Sequence, residues 1–188
     1  MKRKWLQGLI FSGLAVALIV GAAVGVDAQE KKPQASPYSE TTQRIGSYDV
    51  TVTYFRPGVK GREIWGTKLA PYGGKPMPWR AGANNNTTFE FEGDVKIEGK
   101  PLKAGIYGFH IIPSDTDWIL IFSTDSKGWG SYRYKEDKDA LRITITPEEG
   151  PHEEWLRYGF EDLTAESATA YLAWEKKVAK FKIENDTK

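Results

Sequence analysis

From Ser47 to Ile183 apolar side chains return at every second position, and no other feature limits the fold so tightly. A period of two marks a strand, because successive side chains leave a pleated backbone on opposite faces. Tyr48, Val50, Val52 and Tyr54 alternate with Asp49, Thr51 and Thr53, as a strand with one wet face requires. Thr87, Phe89 and Phe91 alternate with Thr88, Glu90 and Glu92; Gly93-Asp94 then offers a two-residue turn before Val95 and Ile97, which predicts a hairpin. Residues 106–112 (IYGFHII) and 118–122 (WILIF) are apolar on both faces, as central strands covered on each side are. Leu141, Ile143 and Ile145 give a further strand before Pro147, and Leu156, Tyr158 and Phe160 another. Ala168, Ala170, Leu172 and Trp174, then Ala179, Phe181 and Ile183 beyond Lys176-Lys177, read as a closing hairpin. Eight to ten short strands with turn signals about every ten residues predict an all-β fold, an antiparallel, jelly-roll-like β-sandwich in a single domain.

The N-terminus follows another pattern. Lys2, Arg3 and Lys4 precede an uncharged, mostly apolar run from Trp5 to Val26, and Ala28 stands where a small residue is needed for cleavage. Residues 1–28 therefore read as a signal peptide cut after Ala28, which predicts a secreted or periplasmic protein. The 22 uncharged residues are also long enough for an uncleaved N-terminal membrane anchor. Residues 29–45 read as a polar linker and 46–185 as the sandwich domain, with no membrane insertion once the signal is removed. Lys2, Arg3, Lys4 and Asp27 fall in the leader, so the rest carries 23 basic and 24 acidic side chains. That balance predicts no nucleic-acid partner. The absence of cysteine excludes disulfides, thiolate catalysis and zinc–thiolate sites, and no cofactor or metal is expected.

One stretch breaks the alternation. Residues 56–91 hold three arginines, two tryptophans, six glycines, four prolines and three successive asparagines, a mixture suited to neither helix nor strand. Long irregular loops in compact domains are uncommon unless they bind something or are disordered, and the aromatic content argues against disorder. Arg56, Arg62 and Arg80 supply planar, always-charged forks for carboxylate, phosphate or sugar hydroxyls. Trp65, Tyr72 and Trp79 supply flat faces for stacking, and Asn84 adds an amide that can orient a polar group. On this reading the loop binds a small polar ligand, a saccharide or an anionic metabolite. On the alternative reading the rings plug the open end of the sandwich and the arginines satisfy loop carbonyls.

No motif names a reaction. His110 lies in an apolar strand, where an isolated histidine is usually a hydrogen-bonded core residue, and His152 lies in an acidic loop spanning 148–154. A glycan-directed hydrolase would draw on strand carboxylates such as Glu90, Glu92, Asp117 or Glu175, and would place two of them across a cleft. A third possibility is a structural or assembly module of the cell envelope, its protein partner unspecified.

Several runs carry a family likeness: GREIWG at 61–66, APYG at 70–73, WRAGAN at 79–84, DVKIEGKPLKAGIYGFHIIP at 94–113 and AWE at 173–175. Together they resemble the exported bacterial proteins grouped as domain of unknown function 2911, over roughly residues 36–183. The resemblance implies a secreted or periplasmic β domain and brings no catalytic residues with it. A Glu commonly follows the asparagine matching Asn84 in that pattern, whereas Asn85 stands here.

Overall fold

The computed structural model describes residues 32–66 and 77–186, so the expected signal peptide and Tyr72 lie outside the described residues. Among the described residues ten strands follow one another: β1 (Tyr38–Ile45), β2 (Tyr48–Phe55), β3 (Thr87–Phe91), β4 (Val95–Ile97), β5 (Lys100–Leu102), β6 (Gly105–Ile112), β7 (Trp118–Ser123), β8 (Asp139–Ile145), β9 (Glu148–Glu161) and β10 (Ser167–Asn185). They make two antiparallel sheets, β1-β2-β3-β6-β7-β8 and β5-β4-β10-β9, packed as a β-sandwich. The period-two pattern places the core directly. Val50, Val52, Phe89, Phe91, Phe109 and Phe122 are buried on the first sheet, and Leu156, Tyr158, Leu172 and Phe181 on the second. The Phe181 ring lies 5.6–5.8 Å from Phe89, Phe109 and Phe122, which joins the two layers.

Four expectations are corrected. The linker proposed for 29–45 ends earlier, because Tyr38–Ile45 pairs along its whole length with β2 from Tyr38↔Phe55 to Ile45↔Tyr48. Its Thr- and Gln-rich alternation has exposed and half-buried positions only until Ile45, so hydrophobic periodicity does not reveal it. Gly93-Asp94 closes no hairpin: β3 pairs with β2 and β6, while β4 pairs with β5 and β10, so the chain crosses here from one sheet to the other. The Tyr48 ring fills the space beside Gly93, where an added Cβ would lie 2.2 Å from Cδ2. A two-residue hairpin turn lies instead at Glu98-Gly99, between β4 and β5, where φ values of 47° and 74° suit a type I′ turn.

The third correction concerns the closing hairpin, which is instead one 19-residue strand, β10. Its inward residues change parity between Trp174 and Ala179, and the ladder with β9 shifts register on both sides of Glu175, at φ 55°. Glu175, in the left-handed region, reverses the alternation of β10 without turning the chain, while β9 takes four residues to two of β10 on each side of it, from Ala173↔Arg157 through Glu175↔Glu153 to Lys177↔Glu149. The fourth is the acidic loop at 148–154, which belongs to β9. Its carboxylates meet cations nearby: Glu148 with Lys180, Glu149 with Lys177 and Glu153 with Arg157.

Candidate functional site

The described legs of the irregular stretch between β2 and β3 are laid against the sandwich by backbone bridges. Its first leg pairs Gly58 with Trp155 of β9; Val59 N–H donates to the Glu154 carbonyl at 2.7 Å, and Leu156 N–H to the Pro57 carbonyl at 3.1 Å. On its second leg, Trp79 exchanges both backbone hydrogen bonds with Ile111 of β6, each 2.8 Å, and Asn86 N–H donates to the Gly128 carbonyl at 3.1 Å. The WRAGAN run then has a stereochemical reading. The Ala81 carbonyl, at φ 47°, accepts the buried Tyr158 hydroxyl at 2.8 Å and the Thr87 hydroxyl at 3.1 Å. At Gly82 any Cβ would stand 2.7 Å from Thr87 Oγ1 and 3.2 Å from the Phe55 carbonyl, so glycine is required. Asn84 adopts φ 55°, the left-handed region that asparagine tolerates well.

Of the sequence-predicted residues, Trp65 and Trp79 belong to a cluster with Trp118 and Trp174. Trp79 stacks on Trp174 at 5.6 Å and 18°, and Trp65 lies 4.6 Å from Trp118 and edge-on to both Trp79 and Trp174 at 5.9 Å. Such pairs contribute about 0.5–1.5 kcal/mol each beyond their buried area. Arg56 Nε donates to the Leu156 carbonyl at 2.9 Å, and Arg62 Nε to the Val59 carbonyl at 2.9 Å with its Nη2 on the Gly58 carbonyl. Asn84 Nδ2 reaches the Ser36 carbonyl at 3.4 Å. The rings thus form structure, and two of the guanidinium groups fasten the loop.

Arg62, Trp79, Arg80 and Asn84 nevertheless share one hollow of about 410 Å³, together with Lys60 and Trp174. Among the described residues three cationic side chains line it and no carboxylate does. Glu154 stands nearby, its Oε1 accepting the Lys60 backbone N–H at 2.9 Å. Trp174 is 3% exposed, and its Nε1–H has no hydrogen-bond partner among the described residues. A buried donor left in that state costs about 1–3 kcal/mol. Arg56 and Trp65 do not line this hollow.

A second hollow, of about 500 Å³, went unforeseen in the sequence. It lies between the outer face of the first sheet and the 124–138 connection from β7 to β8. His110 faces it from β6 and is buried; its Nδ1 lies 3.0 Å from Ser131 Oγ, and Tyr134 packs edge-on at 5.4 Å. Burial, with Arg80 adding to it against the opposing charge of Asp125, pulls the imidazole pKa down to about 4. Tyr134 is fixed in turn: its hydroxyl donates to Asp139 Oδ2 at 2.5 Å and accepts from Arg142 Nη2 at 2.9 Å. Burial first, and then that carboxylate, push the phenol up to about 12. Periodicity placed His110 in a strand; that its outward face is covered depends on the distant 124–138 segment.

The strand carboxylates do not gather at either hollow. Glu90 is exposed on β3, Asp117 Oδ1 accepts from Thr146 Oγ1 at 2.7 Å, and Glu175 Oε2 accepts the Lys176 backbone N–H at 2.7 Å. Asp125 is the single carboxylate among the described residues lining the second hollow. Among the described residues no three His, Asp or Glu side chains stand together in a way that would hold a metal ion. Compared with known proteins, residues 36–183 match the model of a family described as protein of unknown function, DUF2911. No curated protein and no solved structure matches the chain.

Proposed function

This chain belongs to the DUF2911 family, and from that premise we propose that it binds a small anionic metabolite in the hollow beneath its first loop. The observation that carries the reading is the meeting of Lys60, Arg62 and Arg80 around about 410 Å³ with no carboxylate among the described residues of the lining. A concave surface of one sign concentrates potential and draws oppositely charged ligands. The unpartnered Trp174 Nε1–H adds a donor that a carboxylate or phosphate oxygen would accept. Arg62 keeps Nη1 beyond its two carbonyl contacts, and a guanidinium fork suits planar or tetrahedral oxyanions. The work is placed outside the cytoplasm on the strength of the charged, apolar and small-residue order of residues 1–28.

Tryptophan emission tests this, because Trp79 and Trp174 line the hollow. Titration with inorganic phosphate and with succinate should give a saturable change for at least one, weakened by salt. Charge-assisted hydrogen bonds contribute about 1.5–3 kcal/mol, so Arg62→Ala and Arg80→Ala should each raise Kd by about tenfold or more. No response to either anion, or a response unchanged in both variants, overturns the reading.

A further inference from the structure

We propose that the second hollow, between the outer face of the first sheet and the 124–138 connection, binds an uncharged sugar ring stacked on Trp129 and Tyr132 and hydrogen-bonded by Asn86, Asp125 and His110. The proposal is independent of the anion hollow. Trp129 and Tyr132 are 62% and 78% exposed, yet their rings lie near-parallel, 5.8 Å apart at 9°. The two rings stack on each other, and the outer surface of the pair stays open to water at the edge of the hollow, as an apolar face for a ligand. The segment is anchored: Asn85 and Trp129 form a backbone bridge, and the Arg80 guanidinium sits 5.4 Å from the Trp129 ring centre.

The polar groups of this hollow select the ligand's chemistry. A pyranose offers one apolar C–H face to an aromatic surface and hydroxyls around its edge. Asn86 Oδ1 is buried with no hydrogen-bond partner among the described residues, an acceptor that a hydroxyl proton would satisfy. Asp125 accepts further hydroxyls and offsets part of the charge of Lys127, Arg133 and Lys135 in the same lining, which disfavour cations and can donate to hydroxyl oxygens. His110 is neutral over the physiological range and, with Nδ1 held by Ser131 Oγ, leaves Nε2 for a single hydrogen bond. A neutral ligand carrying many hydroxyls satisfies this mixture, and about 500 Å³ has room for it.

The experiment is saturation-transfer NMR on the full chain with glucose, N-acetylglucosamine and their β-linked tetrasaccharides, alongside sedimentation with insoluble cellulose and chitin. Expected is transfer to the sugar protons at millimolar concentration. Trp129→Ala and Asn86→Ala should each weaken it at least about tenfold, and Arg62→Ala should leave it unchanged. Co-sedimentation would assign the site to polymer surfaces, and transfer without it to soluble saccharides. Either result supports sugar binding. If Trp129→Ala lowers the melting temperature, Tyr132→Ala, at the more exposed ring, replaces it. The proposal is overturned if none of these sugars shows transfer, if both variants bind as the parent does, or if phosphate displaces the sugar and Arg62→Ala abolishes it. The last outcome would assign the sugar to the anion hollow.

Discussion

Trp79→Ala should be among the most damaging substitutions in the irregular loop. The indole is 3% exposed, stacks on Trp174 at 5.6 Å and meets the Trp65 edge at 5.9 Å, so truncation leaves a hole bounded by two large rings. Large-to-small changes of buried Trp cost about 3–5 kcal/mol, against a total of about 5–15 kcal/mol for a domain of this kind. For about 150–250 residues each kcal/mol moves Tm by about 2–4 °C, which predicts a fall of roughly 6–20 °C. The assay is guanidinium unfolding followed by circular dichroism, with Trp129→Ala as control. That exposed ring should change stability by no more than about 0.5 kcal/mol through lost burial. Trp79→Phe should recover part of the loss. A Trp79→Ala loss below about 1 kcal/mol, with an unchanged denaturant slope, would refute the claim that the indole cluster pins the loop.

Acid should act on His110 with a definite sign. Its folded pKa, about 4, lies below the ordinary value of 6.5, so the stabilising term is complete above pH 6.5 and is lost as pH falls towards about 4. The loss is of order 3 kcal/mol, and His110→Gln should flatten this part of the stability profile measured by thermal melts. Gly108→Ala would set a Cβ 2.5 Å from the Asp125 backbone carbonyl, and since backbone yields less than a side chain, unfolding should show a loss of about 1–3 kcal/mol. Deleting Glu175 removes the left-handed residue at which the β10 alternation changes and turns Ala179, Phe181 and Ile183 outwards, so the protein should be recovered unfolded or aggregated. Glu175→Gly keeps the count, relieves φ 55° and should raise stability by up to about 1 kcal/mol.

How far a feature could be read from the sequence depended on the distance over which its cause acts. Alternation is local, so β2, β3, β6, β7 and β8 and their buried phenylalanines follow from composition at every second position. The parity change between Trp174 and Ala179 was also visible, but a turn and a bulge both produce it. Lys176-Lys177 carries no signal that separates them. Gly93-Asp94 misled for a related reason: glycine permits a tight turn, yet here it makes room for the Tyr48 ring at a crossing between sheets. The family resemblance drew on WRAGAN, and the structure supplies its stereochemical cause in the crowding at Gly82 and the left-handed backbone at Asn84.

The loop sets the boundary most clearly. Its residue types stated in advance that arginine forks and indole faces would be concentrated there, and that no reaction was written into their spacing. Which arginines fasten carbonyls and which line a hollow depended on β9, brought alongside Pro57 and Gly58 from about a hundred residues away. The second hollow depended likewise on a connection after β7 folding over His110. Side-chain alternation is a property of neighbours along the chain and survives in the sequence; concavity belongs to segments that meet across it, and only the packed sandwich brings them together.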